Sequence, residues 1–307
     1  MPIYKYVTID RVDILTNGLI RFTQPSAFND PFEAYPFFSK LADDEEINKA
    51  LQIPRSWDSN KIDQLIDDSL QNALSKQPVA KLLPYSMLKN LMQMQMKAAL
   101  PFVEDLYKKS ITMDGAPYRN LMTKTILSAI DKTLGILCLT ERCDNLLMWA
   151  HYTADHTGFV IAFDEKHPFW DQRKGPKEII GVLRKVRYSK ERPEVTVFDM
   201  NKVKQDEQGL MRWAEDLFWT KSDHWQYEQE WRMVYTLRDC PNGTAGDKDI
   251  CLFPVPTECI SSVIMGCRML GTDKQRIRTL IKSDHRFSHI KVLQAEIDSR
   301  EYKLKFS

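Results

Sequence analysis

The signatures of the common nucleotide-handling and hydrolytic enzymes are missing from this chain. It contains no G-x-x-x-x-G-K-S/T, no G-x-G-x-x-G after a strand, no G-x-S-x-G and no H-E-x-x-H. Their absence argues against P-loop phosphoryl transfer, Rossmann hydride transfer, a serine hydrolase elbow and a zincin. An excess of charge is missing too. With 43 basic against 42 acidic residues, no overall field draws in nucleic acid or membrane. The most basic run, Arg173 to Arg192, sets eight Lys or Arg against two Glu, which a solvated surface explains more readily than phosphate binding. None of the six cysteines forms a C-x-x-C pair, so they read as reduced intracellular thiols and not as a disulfide framework. No apolar run reaches membrane-spanning length, and the opening Met-Pro-Ile-Tyr-Lys-Tyr has no apolar signal core. The expected location is the cytoplasm, with no membrane partner. Internal repeats, low-complexity tracts and linkers are also lacking.

What remains is an α+β pattern over 307 residues, read as a single domain, 1–307, with a helical insertion at 41–134. Residues 3–9 predict a strand and Ile9 to Asn17 a short helix stopped by Gly18, followed by a strand at Leu19 to Phe22. Asp43 to Glu46 suits a helix start, and Ile62, Leu65, Ile66, Leu70, Ala73 and Leu74 follow the helical period. Further helices are expected at Leu88 to Leu100, Phe102 to Lys109 and Tyr118 to Lys132. Gly135 to Thr140 returns to strand, then Asp144 or Asn145 caps a helix over Leu146 to Tyr152. Gly158 stops it, and Phe159 to Phe163 is a continuous apolar strand of the buried kind. Strands at Glu178 to Leu183 and Lys185 to Tyr188, a helix at Leu210 to Thr220, and a long turn at Asp239 to Gly246 follow. Strands at Ile250 to Val255 and Ile260 to Met265, a helix at Gln275 to Lys282, and strands at Ile290 to Ile297 and Tyr302 to Phe306 complete the chain.

The chemistry concentrates in Lys221 to Tyr235, where Trp225, Tyr227 and Trp231 are interleaved with Glu228, Glu230 and Arg232. If Glu228 to Val234 is extended, Glu228, Glu230 and Arg232 share one face, and Gln229, Trp231 and Met233 the other. Such a row is either a solvated strand edge or the floor of a pocket. A carboxylate beside aromatic rings accepts hydrogen bonds from sugar hydroxyls and stabilises positive charge on an anomeric carbon. On the helix at 146–152, Asn145, Met148, Trp149 and Tyr152 fall on one side and predict an aromatic wall.

Two other patterns compete for attention. Cys138, Cys143, His151 and His156 give C-x4-C-x7-H-x4-H, but the middle spacing is short for a zinc finger and Cys138 sits in an apolar strand. Core thiols and satisfied histidines are preferred, and no metal is expected. Phe28-Asn-Asp-Pro-Phe-Glu33 reads as an Asx-type turn plugged into a core by its phenylalanines, with Asn29 as an alternative substrate contact.

Three blocks together, Phe28-Asn-Asp-Pro-Phe-Glu33, Trp149-Ala-His-Tyr152 followed by Gly158-Phe159, and Trp225-Gln-Tyr-Glu-Gln-Glu-Trp-Arg232, resemble a widespread bacterial family catalogued as a domain of unknown function. A weaker resemblance is to the ADP-ribosyltransferase fold, through the late Glu228-Gln-Glu230 pair, an early strand Tyr4-Lys-Tyr6 with Arg21 close behind, and a middle strand ending at Thr140. It differs in lacking a histidine or arginine in the first strand and a Ser-Thr-Ser. This second resemblance implies a mixed, mainly antiparallel sheet core and NAD as substrate. Glu230 would hold the ribose 2′-hydroxyl and Glu228 would orient the acceptor. Arg21 would pair with the pyrophosphate, and Tyr6, Trp149 or Tyr152 would stack on the nicotinamide. The implied cofactor contacts are Tyr4, Tyr6, Arg21, Asn29, Thr140, Trp149, His151, Tyr152 and Arg232.

Two functions are therefore expected from different classes. One is an NAD-dependent ADP-ribosyltransferase of bacterial toxin or defence type, acting on a protein or nucleic acid and paired with an antitoxin or immunity partner. The other is a non-catalytic sensor domain that holds a nucleotide or peptide in the same aromatic and acidic pocket.

Overall fold

The apolar run at Phe159 to Phe163 forms a strand buried on both faces, and it lies in the middle of the main sheet. The computed structural model describes residues 1–35, 37–40, 59–76, 85–95, 98, 116–175, 178–196, 207–240 and 250–307. In chain order the strands are β1 (Pro2–Val7), β2 (Leu19–Phe22), β3 (Phe37–Lys40), β4 (Leu134–Thr140), β5 (Phe159–Asp164), β6 (Leu183–Lys185) and β7 (Arg187–Ser189). They continue with β8 (Glu194–Thr196), β9 (Thr220–Ser222), β10 (Glu230–Thr236), β11 (Cys251–Pro254), β12 (Ile260–Met265), β13 (Lys291–Ile297) and β14 (Leu304–Phe306). The helices are α1 (Asp13–Asn17), α2 (Ser59–Lys76), α3 (85–95), α4 (Ala116–Thr133), α5 (Leu146–Tyr152), α6 (Glu207–Phe218) and α7 (Gly271–Ser283). Among the described residues no helix is long and apolar enough to cross a membrane.

Two compact units share the chain. The first comprises Met1–Gln24, Gly135–Lys190 and Lys221–Ser307; the second comprises Pro25–Leu134 and Glu191–Thr220. The first carries an eight-stranded sheet in the order β14-β13-β12-β5-β1-β4-β10-β6. β12 and β13 are parallel, while β5 is antiparallel to both β1 and β12, so the sheet is mixed and mostly antiparallel in an α+β arrangement. Side chains alternate across β5, which separates two cores. Phe159, Ile161 and Phe163 join Ile277 and Ile281 of α7 on one face, while Val160 joins Met148 and Trp149 of α5 on the other. β2 and β11 form a separate two-stranded ribbon. Gly18 closes α1 in the left-handed region at φ 64°, where a side chain is disfavoured.

In the second unit, Ile66 and Leu70 of α2 are buried beside Leu88 and Met92 of α3, as an i, i+4 pair demands. β3 and β8 pair in parallel. The stretches at 43–46, 102–109 and 241–246 lie outside the described residues.

Several elements differ from the sequence reading. Residues 178–182 do not form a strand: Gly181 turns the chain at φ 82°, its N–H donating to Val234 O, and extended pairing begins at Leu183. The strand expected at Tyr302 to Phe306 shortens to Leu304–Phe306, with Tyr302 fully exposed. Phe32 does not plug a core but is 59 % exposed, with the Arg192 guanidinium 5.6 Å from its ring centroid.

Candidate functional site

The sequence reading extends the strand back to Glu228, but the structure begins it at Glu230. Asp223–Glu228 is a 3₁₀ helix, and Gln229 in the left-handed region (φ 44°, ψ 54°) turns the chain from it into β10. From Glu230 onward the expected alternation holds: Trp231, Met233 and Tyr235 face the α7-side core. That one turn brings Glu228 and Glu230 together by a route strand periodicity does not describe.

Neither acid lies on a solvated edge. Glu228 is 3 % exposed, Glu230 4 % and Arg232 0 %. Buried carboxylates carry a desolvation cost of several kcal/mol each unless they are paired and hydrogen-bonded, and here they are. Lys221 Nζ donates to Glu228 Oε2 at 2.7 Å and to Glu230 Oε2 at 2.9 Å. Arg232 donates from Nε to Glu230 Oε1 at 2.8 Å and from Nη2 to Oε2 at 3.0 Å. The Tyr152 hydroxyl donates to Glu228 Oε1 at 2.6 Å. All four carboxylate oxygens thus accept hydrogen bonds from within the protein. The backbone is tied in as well: Thr140 Oγ1 donates to Glu228 O at 2.5 Å, and the Glu230 N–H donates to the Tyr188 hydroxyl at 2.8 Å.

This placement sets the charge states. Burial pushes the Glu230 carboxyl above its ordinary value, with the Lys221 ammonium opposing. Burial alone would lower Lys221, but Glu230 and Glu228 outweigh it and hold the ammonium on well above the usual amine range. Burial also lifts the Cys138 thiol well above its normal range, with the adjacent Glu230 charge adding to the effect, so Cys138 stays a neutral neighbour of the network.

The aromatic wall divides into buried and half-buried rings. Asn145 caps α5, its Oδ1 accepting from the N–H groups of Leu147 and Met148, while its Nδ2 donates to Tyr227 O at 2.8 Å. Trp149 is wholly buried, and Tyr6 meets it edge-on at 5.4 Å while donating to Arg142 O. Neither presents a ring face to solvent. Tyr4, Tyr152 and Tyr227 are half-buried against that cluster, and the Trp225 ring lies 5.0 Å from the Lys221 ammonium.

The remaining candidates fall elsewhere. His151 is exposed on α5. Arg21 sits on β2 with Arg11 as its charged neighbour, and no hydrogen bond or ion pair joins it to the acids. Asn29 belongs to the second unit, exposed beside Asp30, whose Oδ1 accepts from the Phe32 N–H at 2.9 Å in the expected Asx turn. Of the cysteine and histidine set, Cys138 lies beside Glu230, Cys143 is within hydrogen-bonding reach of Tyr4, and the His156 ring stacks on Trp149 at 6.2 Å. Among the described residues no group of three or more His, Cys, Asp or Glu is placed to hold a metal ion.

Sequence reasoning missed Lys221 and Tyr188. A lysine seven and nine residues before two acids has no periodic signature, and Tyr188 belongs to a separate strand; only the fold unites them. Residues 148–233, from α5 to β10 and spanning Tyr152, Lys221, Glu228, Glu230 and Arg232, match the model of a family described as a protein of unknown function (DUF2971). No curated protein and no solved structure matches the chain. Two of the three sequence blocks, Trp149 to Tyr152 and Trp225 to Arg232, lie inside the matched stretch, and over it the chain is similar to that family.

Proposed function

We propose that the first unit is a nucleotide-binding sensor domain, with a base stacked on the half-buried rings of Tyr4, Tyr152 and Tyr227 above the ionic network. The observation that carries this reading is the burial of Glu228 and Glu230, whose four carboxylate oxygens each already accept a hydrogen bond from Lys221, Arg232 or Tyr152. A carboxylate so buried and so engaged is a support beneath a ligand; to grasp a ribose hydroxyl it would first have to become accessible. Stacking a base on aromatic rings is worth about 1–3 kcal/mol per base, so two such rings suffice for measurable binding. The network contributes two cations and two anions, a floor without net charge that suits a base better than a phosphate.

A second reading, an NAD-dependent ADP-ribosyltransferase of toxin or defence type with an ADP-ribosyltransferase-like fold, is favoured by the meeting of Glu228 and Glu230 beside Tyr152 and Thr140. In it NAD is the substrate, a protein or nucleic acid is the acceptor, and an immunity partner restrains the activity. It requires the ribose to reach the buried Glu230 carboxylate.

The test is calorimetry with adenosine, AMP and NAD, coupled to a nicotinamide assay. The sensor reading expects an intact, unconsumed ligand whose affinity falls in Tyr152→Ala and Tyr227→Ala. Nicotinamide release by the wild type that disappears in Glu230→Gln would overturn it in favour of the transferase.

A further inference from the structure

Late in the first unit, α7 (Gly271–Ser283) is held to the sheet along one side only. Ile277 and Ile281, four residues apart, are 0 % and 6 % exposed and join the core beneath β5. At 3.6 residues per turn, Lys274, Arg278 and Lys282 form a ridge along the outward side, and Arg276 leaves from the far flank of that same side. Arg276, Arg278 and Lys282 are exposed and Lys274 is half-buried. Thr272, Gln275 and Thr279, all exposed, fill the ground between the ridge and Arg276. The outward side of α7 therefore carries cations and neutral hydrogen-bonding groups, with no acid and no large apolar side chain.

The charge on this helix is uncompensated. Its 13 residues hold four Lys or Arg against one acid, in a chain whose whole net charge is +1. That acid, Asp273, is half-buried in the first turn, where a carboxylate suits the helix dipole. Asp284, just past the helix, is taken by Arg286, whose Nη2 donates to its Oδ2 at 2.6 Å. Among the described residues, no ion pair or side-chain hydrogen bond engages Lys274, Arg276, Arg278 or Lys282. Like charges at i, i+4, here Lys274 with Arg278 and Arg278 with Lys282, destabilise a helix, and an opposing row of anions reverses that sign. The ridge runs about 12 Å, a length over which one strand of a duplex presents about three or four phosphates. Thr and Gln side chains donate to phosphate oxygens as well. Single strands are bound chiefly by aromatic rings that stack on their bases, and the outward side of α7 has none. An anionic bilayer takes up a helix by its apolar face, and here Ile277 and Ile281 are already committed to the core.

We infer that α7 is a docking face for the phosphate backbone of double-stranded nucleic acid, engaged without regard to base sequence, with Lys274, Arg278 and Lys282 as its phosphate contacts. This goes beyond the sensor reading, because it uses none of the residues on which that reading stands. The near-neutral total charge is no obstacle: salt screens exposed charges beyond about 8–10 Å, so the field that acts on a docked backbone is the local one.

Fluorescence anisotropy of a labelled DNA duplex of about 20 base pairs, titrated with the full chain at about 50 and about 200 mM KCl, tests it. Three phosphate contacts imply a salt slope of about −2.7, so micromolar binding at the lower salt should weaken by about 40-fold at the higher. The triple variant Lys274→Gln, Arg278→Gln, Lys282→Gln should weaken binding at the lower salt by at least about tenfold and flatten the slope by about one per cation removed. A control triple variant, Lys166→Gln, Lys174→Gln, Lys190→Gln, removes the same charge from exposed positions elsewhere in the first unit and should weaken binding by less than about threefold. Without ligand, the α7 triple variant should melt no lower than wild type, since it relieves two like-charge pairs. An RNA duplex of the same sequence, run beside the DNA, identifies which of the two backbones is preferred. No saturable duplex binding by about 100 μM protein, equal loss in the two triple variants, or tighter binding to the separated strand than to the duplex overturns the inference. So does binding to phosphatidylserine vesicles with none to duplex, which would make the face a membrane contact.

Discussion

Replacing Lys221 with methionine removes an ammonium that touches both buried acids while keeping most of the stem's volume. Its Nζ lies 2.7 Å from Glu228 and 2.9 Å from Glu230, and 7 % of the residue is exposed. Arg232 remains on Glu230, but Glu228 is left with the Tyr152 phenol where it had a cation as well. Removing one partner of a buried ion pair costs about 3–5 kcal/mol, because the other charge stays desolvated. For a unit of this size each kcal/mol moves Tm by about 2–4 °C, so differential scanning calorimetry at pH 8 should show a fall of roughly 6–20 °C.

The pH dependence carries a sign. Burial holds Glu230 above its ordinary value of 4.5, and Lys221 is the largest influence opposing that rise. Without Lys221 the carboxyl rises further. A group whose folded pKa exceeds its unfolded one binds its proton more tightly when folded, so stability is highest below the unfolded value and falls as pH climbs through the folded one. The deficit of Lys221→Met relative to wild type should therefore be smallest below the ordinary value of 4.5 and should grow as pH rises. A loss below about 1 kcal/mol at pH 8 would mean that the pair behaves as an exposed one. A deficit that grows on acidification would refute the assignment of charge.

Three further substitutions probe the first unit, two in the frame around the acids and one at a close backbone approach. Thr140→Val deletes the hydroxyl that donates to Glu228 O and accepts from the Arg142 N–H, and should cost about 1–3 kcal/mol in urea unfolding. Asn145→Ala removes both the α5 cap and the link to Tyr227 O, for a loss of about 1–2 kcal/mol by the same measurement; no change would show that α5 is held by packing alone. Gly266→Ala places a Cβ 2.2 Å from His156 O and 2.7 Å from Gly158 O, backbone atoms that cannot step aside, so a loss of about 3 kcal/mol is expected, and a near-native melt would contradict this close approach.

Much of the local structure was legible because its cause is local. The α5 cap, read as Asp144 or Asn145 and placed at Asn145, the Gly18 stop and the apolar run of β5 each announce themselves within a few residues. Period-two alternation also ordered Glu230, Arg232 and Met233 correctly. It failed at Glu228, because a left-handed Gln229 is not a residue type that signals a positive φ in advance. The strand expectation failed again at 178–182, where apolar Ile179, Ile180 and Val182 looked like a strand and Gly181 made a turn. The role of Lys221 could not be read at all: a buried lysine is defined by what converges on it, and its partners arrive from a turn and a strand start whose geometry the sequence does not print.

Convergence from separate segments makes one last prediction sharp. The 3₁₀ turn carrying Glu228 is held from α5 by Asn145 and Tyr152 and from β4 by Thr140, so the two sequence blocks within 148–233 behave as one structural part. If the Tyr152 hydroxyl and the Glu228 carboxylate interact directly, Tyr152→Phe and Glu228→Gln are not independent. Each single change leaves a half-satisfied partner, whereas the double change removes both ends of the bond. The double variant should then lose less stability than the two singles added together, by about 0.5–3 kcal/mol, the range found for residues sharing a buried bond. Urea unfolding of the four proteins gives that difference. Strict additivity would mean that Lys221 alone holds Glu228 in place and that the tyrosine only fills space beside it.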